Sequence, residues 1–236
     1  MSIPILGQNR TIPEADRLAA TTVLYLPLWI PKTSPFASLD SYGHTVTAGG
    51  VPVWTPQGYI FDGIDDGLSI PDSALWSFGT GSFSIQIVVK LSEAAPAARR
   101  TLIASTLANV SNSNTFALFQ GQTEGNWQVS METTNKYWPD ASAANISTFQ
   151  HITLVRQTGI NDVYIYINGV QLTPGAAFAI KDVDFNWDGV FIGKSWGPSY
   201  GKGIISEAII YSGKALTQSE VTNSYLAAKR RMPWIS

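Results

Sequence analysis

In FSIQIVVKL (Phe83–Leu91) the apolar residues Phe83, Ile85, Ile87, Val89 and Leu91 fall on one parity, and Ser84, Gln86 and Lys90 on the other. Successive side chains of a strand point to opposite faces, so this period of two reads as a half-buried antiparallel strand. The same reading extends outward in both directions. TTVLYLPLW (21–29) precedes it; TLIAST (101–106), TFALFQ (115–120), NWQVSME (126–132), QHITLVR (150–156), GVFIG (189–193) and GIISEAIIYS (203–212) follow, separated by Gly, Asn, Ser and Pro clusters. In VYIYINGVQL (163–172) two alternating runs meet at Asn168-Gly169, a pair that tolerates the positive φ angles of a type I′ turn, which predicts a hairpin. A single helix is expected near the end. Thr217 and Glu220 have the spacing of a capping box, and Val221, Tyr225 and Ala228 would share the face by which it packs on the strands as a lid.

About ten short strands and one terminal helix predict an all-β fold, a two-sheet antiparallel sandwich of jelly-roll type. The 236 residues suit one such domain, expected over 21–228, with an N-terminal arm at 1–20 that holds Pro4 and Pro13 without periodicity and a tail at 229–236. No cysteine is present, which excludes disulfides, thiolate metal sites and a cysteine nucleophile. Fifteen basic against seventeen acidic residues leave a net charge of −2 without a basic cluster, so nucleic acid is not an expected partner. Neither a Sec-type signal nor an apolar run long enough to span a membrane is read in the chain.

The order of Phe61-Asp-Gly-Ile-Asp-Asp66, Ser69-Ile-Pro-Asp-Ser73, Gly81-Ser-Phe-Ser-Ile85, Phe149-Gln-His151 running to Arg156, the Asn168-Gly169 turn, Gly203 to Tyr211 and Ala215 to Val221 resembles the laminin-G-like, concanavalin-A-like jelly-roll family, related to pentraxins. The resemblance covers about 22–228. It implies a fold shared by lectins, adhesion modules, glycan-processing enzymes and virion proteins.

Three aspartates and two glycines crowd FDGIDDG (61–67). Ile64 stands where an EF-hand loop needs an oxygen ligand, so the stretch is not one. The residues themselves read as a turn, with Asp62 and Asp65 capping it through their side chains and Gly63 and Gly67 supplying permissive backbone. The resemblance implies an alternative, a structural calcium site of Asp62, Asp65 or Asp66 with Glu207, although Ser206 replaces the aspartate that commonly precedes the glutamate. No other cofactor is expected.

No paired carboxylates at catalytic spacing, no G-x-S-x-G and no second metal-spaced ligand beside His44 or His151 are read, and the expectation is a chain that is not an enzyme. Aromatic residues form 11% of the chain. Trp138, Trp187, Trp196 and Tyr200 fall in predicted loops, where flat rings could stack on sugar C–H faces while Asn135, Asn186, Asp188 and Lys194 take the hydroxyls. The alternative for each ring is that it closes an end of the sandwich over the core. The function expected is recognition or adhesion, with glycans or a surface polysaccharide as ligand, displayed on a virion or particle surface. The alternative is a structural virion protein that docks on capsid or tail proteins, or on copies of itself, through 1–20 and 230–236, with Trp234 as an anchor.

Overall fold

A computed structural model describes residues 20–93, 96–106, 116–121, 126–131, 134–139, 148–158, 163–172, 185–195, 197 and 199–235. Among them lie eighteen strands in chain order. These are β1 (Thr22–Pro27), β2 (Phe36–Ala37), β3 (Thr45–Gly49), β4 (Val53–Thr55), β5 (Gly58–Asp62), β6 (Gly67–Pro71), β7 (Ser77–Gly79), β8 (Phe83–Leu91) and β9 (Arg100–Ala104). They continue with β10 (Phe116–Gln120), β11 (Asn126–Met131), β12 (Thr134–Pro139), β13 (Gln150–Arg156), β14 (Val163–Ile167), β15 (Val170–Gln171), β16 (Phe185–Asn186), β17 (Gly189–Ile192) and β18 (Lys202–Ser212). One α-helix, α1, spans Gln218–Arg231.

The strands build two large antiparallel sheets, as the alternation predicted. The first runs β15-β14-β13-β8-β18-β5-β4, and β1 takes the second half of the β18 edge that β5 leaves open. The second runs β12-β11-β10-β9-β17-β6-β3-β2. Their facing sides bury one apolar cluster that includes Phe61, Phe83, Ile85, Ile87, Phe116, Leu118, Trp127, Trp187 and Ile205. Phe83 to Leu91 is a strand over its full predicted length, and Asn168 (φ 51°) and Gly169 (φ 82°) form the predicted turn between β14 and β15. Residues 134–139, read as loop, are instead the polar edge strand β12, paired with β11.

Strand β8 is not half-buried, as its alternation suggested. Its polar face is covered by α1 and the segment before it. Ser84 Oγ donates to the Lys214 carbonyl (2.8 Å) and accepts from Leu216 N (3.0 Å), while Gln86 Oε1 accepts from Tyr211 Oη (3.2 Å) and Ser224 Oγ (2.8 Å). The predicted capping box starts α1, with Glu220 N donating to Thr217 Oγ1 (3.3 Å) and Thr217 N to Glu220 Oε2 (2.8 Å). Val221 and Ala228 are fully buried. The segment read as a tail is spent on the fold: Met232 and Ile235 are buried beside Val88 and Phe149, Ile235 pairs with Phe149, and the Trp234 ring lies 6.1 Å from the Phe149 ring. Of the expected arm, residues 1–19 lie outside the described residues.

Beneath α1 sits a polar cluster. Glu207 pairs with Arg231 (Oε1 to Nη2, 2.8 Å) and accepts from Tyr25 Oη (3.2 Å). His151, 1% exposed, lies nearby, and burial first and the Arg231 charge second hold its pKa down at about 3. An unfolded histidine titrates near 6.5. Between pH 6.5 and 3 the unfolded chain therefore takes up a proton that the folded chain refuses, and stability falls as pH falls. We expect His151→Gln to reduce the acid-side slope of stability by about 1.4 kcal/mol per pH unit in that window. Urea midpoints from pH 3.5 to 7 measure it; parallel curves for the two proteins would show that His151 is not held neutral.

Candidate functional site

The FDGIDDG stretch joins β5 to β6 as a tight acidic turn. Carboxylate oxygens of Asp62, Asp65 and Asp66 lie within 4.8 Å of one another. Asp62 Oδ1 accepts from Ile64 N (2.8 Å) and Asp65 N (3.4 Å); Asp66 accepts from Val51 N (Oδ1, 2.8 Å) and Asp62 N (Oδ2, 3.0 Å). Burial pushes the Asp66 carboxyl up, against the lowering effect of those amides. Gly63 has φ +83°, as a turn residue should; Gly67 does not, and it is bare because a Cβ there would lie 2.3 Å from Lys194 Cδ.

Glu207 does not join them. Asp62 pairs with Lys202 across β5 and β18, and Glu207 stands five residues further along, on the order of 15 Å away. There Arg231 and Tyr25 hold it, so the structure does not bring Glu207 together with Asp62, Asp65 or Asp66, as the calcium site implied by the resemblance requires. Beside the turn lies a basic pair. Arg100 donates from Nη1 to the Gly63 carbonyl (3.1 Å) and from Nε to Glu93 Oε1 (2.5 Å), and Lys202 Nζ reaches Glu93 Oε2 (3.3 Å). Burial raises the Glu93 pKa, but these two cations outweigh it and the group ends below the usual range.

Of the predicted aromatic site, the structure places Trp187, Asp188 and Tyr200 apart. Trp187 is 1% exposed, stacked on Phe116 inside the sandwich. Asp188 is exposed and accepts from Thr106 Oγ1 (3.2 Å), beyond one end of β9, whereas the Tyr200 carbonyl accepts from Arg100 (3.5 Å) at the other end. Asn186 Oδ1 accepts from Ser77 Oγ (2.5 Å). Trp196 lies outside the described residues, as do the side chains of Trp138 and Asn135. Trp138 is placed only by register, opposite Trp127.

A groove of about 450 Å³ opens where the free edges of the two sheets approach, between β2–β3 and β4–β5. Lys32, Phe36, Val51, Pro52, Trp54 and Tyr59 line it. Trp54 and Tyr59 are cross-strand partners and so share a face. The Phe36 and Tyr59 rings are parallel within 6° at 6.5 Å, and Tyr59 Oη donates to the Lys32 carbonyl (2.6 Å). Burial lifts the Tyr59 pKa and lowers that of Lys32. Trp54 Nε1 is buried and has no acceptor among the described residues. Sequence reasoning missed these residues because it searched loops for aromatic rings. The signal was VWTPQGYIF (53–61), a Pro-Gln-Gly turn that folds Trp54 onto Tyr59.

Known structures share this fold. Domain 4 of AbnA, a GH43 extracellular arabinanase from Geobacillus stearothermophilus solved with arabinotriose, is 22% identical, with 86% of this chain matched to 97% of that one at a TM-score of 0.62. Trypanosoma rangeli sialidase is 14% identical over 90% of this chain and 34% of its own (TM-score 0.67). The binding domain of botulinum neurotoxin DC, solved with rat synaptotagmin II, is 13% identical over 88% and 51% (TM-score 0.63). The chain thus spans about a third of that sialidase and half of that toxin domain. The expectation of a chain that is not an enzyme is corrected by these matches, two of which are to parts of an arabinanase and a sialidase. No catalytic role is shown for this chain itself. Among the described residues no helix is long and apolar enough to cross a membrane. No curated protein matches the sequence. The family model described as the concanavalin A-like lectin/glucanases superfamily, of laminin G type, matches residues 62–222, from the aspartate turn into helix α1. The chain belongs to that superfamily.

Proposed function

We propose that the domain binds glycans and that the chain of sugars lies in the groove between the free sheet edges. The observation that carries this reading is the aromatic wall of Trp54, Tyr59 and Phe36 on a groove of about 450 Å³, roomy enough for one or two sugar units. Sugar rings offer C–H faces that stack on aromatic π-systems, and their hydroxyls take polar partners at the rim. Here the Lys32 ammonium is such a partner. The rings are held in place before any ligand arrives. Trp54 is pinned by the β4–β5 register and Tyr59 by its bond to the Lys32 carbonyl, so little conformational entropy is lost on binding. The arabinotriose complex of the similarly folded arabinanase domain supports the ligand class and leaves the location to the groove.

A glycan array followed by calorimetry on the best hit tests the reading. We expect Trp54→Ala to weaken affinity about tenfold or more while circular dichroism stays unchanged. Binding that ignores Trp54→Ala would move the site elsewhere on the domain. An array without hits, repeated on oligosaccharides of arabinose and other pentoses, would sink the proposal.

A further inference from the structure

We infer that the groove selects glycans in which a single carboxylated sugar unit is joined to neutral ones, with the carboxylate at one end set against Lys32. This inference rests on the proposed glycan site and names its ligand class.

The groove is electrically polarised. Among the described residues that line it, Lys32 is the only charged one, and it is half-buried. Its Nζ donates to the Ala37 carbonyl (2.8 Å) and stands 5.5 Å from the Phe36 ring centroid. No carboxylate pairs with it among the described residues, unlike Lys202 and Lys214, which meet Glu93 and Glu220. An ammonium has three donors, and one carbonyl uses one of them. Two remain for a ligand, and a half-desolvated cation without a counter-ion favours an anion over a hydroxyl. The loss of water around Lys32 also lowers its pKa, which a bound carboxylate would reverse.

The aspartate turn adjoins the groove through Val51. Val51 lines the groove, and its backbone N–H is held by Asp66, the inner member of the three-aspartate turn, with Asp62 and Asp65 exposed beside it. A continuous polyanion laid along the groove would bring charge against that turn, and like charges at such range repel. A ligand with one carboxylate at the Lys32 end and neutral hydroxyls toward the aspartates satisfies both ends, since carboxylate oxygens accept from sugar hydroxyls.

Isothermal titration of the full chain with matched pairs tests this. The pairs are sialyllactose against lactose, a methylglucuronyl-xylotriose against xylotriose, and polygalacturonate as the continuous polyanion. The first two arms distinguish a sialic from a uronic source of the carboxylate. We expect at least one acidic member to bind about tenfold tighter than its neutral partner, and polygalacturonate to gain no such advantage per unit. Lys32→Gln should bring the acidic-to-neutral ratio to about one, and Lys32→Arg, which keeps the charge, should preserve most of it; melting temperatures of both report whether they fold. The preference should also shrink as salt rises from 0.05 to 0.5 M. Neutral glycans bound through Trp54 with no acidic preference would overturn this inference and leave the glycan site standing. A preference that survives Lys32→Gln would overturn it too, and tightest binding of polygalacturonate would show that the aspartate turn does not discriminate. Failure of every sugar to bind would remove both proposals together.

Discussion

Trp187→Ala should lower the stability of the domain by about 3–5 kcal/mol, the range for emptying a tryptophan-sized space in a packed core. Trp187 is 1% exposed. Its ring stacks on Phe116 (5.3 Å, 9°) and receives the edges or faces of Phe78 (4.8 Å, 85°) and Phe83 (5.7 Å, 78°), so four aromatic side chains share the space it fills. These residues come from β7, β8, β10 and the segment between β16 and β17, and they tie the two sheets together. Cavities of this kind collapse poorly because every neighbour is itself held on a strand. The urea midpoint, read with an unchanged slope, measures the loss. A change below about 1 kcal/mol with a fall in glycan affinity would return Trp187 to the ligand-binding role that its loop position suggested.

Arg231→Met should cost a similar amount, about 3–5 kcal/mol, because it leaves the Glu207 carboxylate buried with no compensating charge. The two side chains are 7% and 2% exposed, and the Tyr25 hydroxyl, a neutral donor, would remain on Glu207. The companion variant Arg231→Met with Glu207→Leu removes both charges. A buried pair exchanged for apolar groups is often close to neutral, so the double variant should recover most of the loss. A double variant as unstable as the single one would mean that the pair is needed for its geometry, as the clasp of α1 on β18, rather than for its charge balance. In either case α1 should loosen before the sheets, since its last turn and the segment to Ile235 hold to the sandwich through this pair and one apolar cluster.

These two sites also mark where a linear reading stops. Linear reading leaves open a calcium-ligand role for Glu207 and either a sugar-platform or a core-closing role for Trp187, and both side chains are interior. Glu207 sits on β18 where the ladder with β8 shifts register between Ile205 and Glu207, so the parity of the strand changes there. Counting residues along GIISEAIIYS cannot show such a shift. Trp187 lies next to a two-residue strand, and nothing within five residues tells whether its ring turns inward.

What the chain determines by itself is short-ranged. The period of two in Phe83–Leu91, the Asn168-Gly169 turn and the Thr217–Glu220 box each rest on contacts within one strand, one turn or one helical turn, and each stands in the structure where the residues placed it. The two-sheet sandwich follows, because with one short helix in the reading the apolar faces of so many strands are left to bury against another sheet. The tertiary structure alone decided which faces are covered twice and where the sheets leave a gap. Ser84 and Gln86 look solvent-facing until α1, more than a hundred residues later, closes over them. Lys32, Phe36, Trp54 and Tyr59 become one groove only because β2 and β4 end up as free edges of opposite sheets. Burial and convergence are properties of contacts distant in sequence, and no local period encodes them.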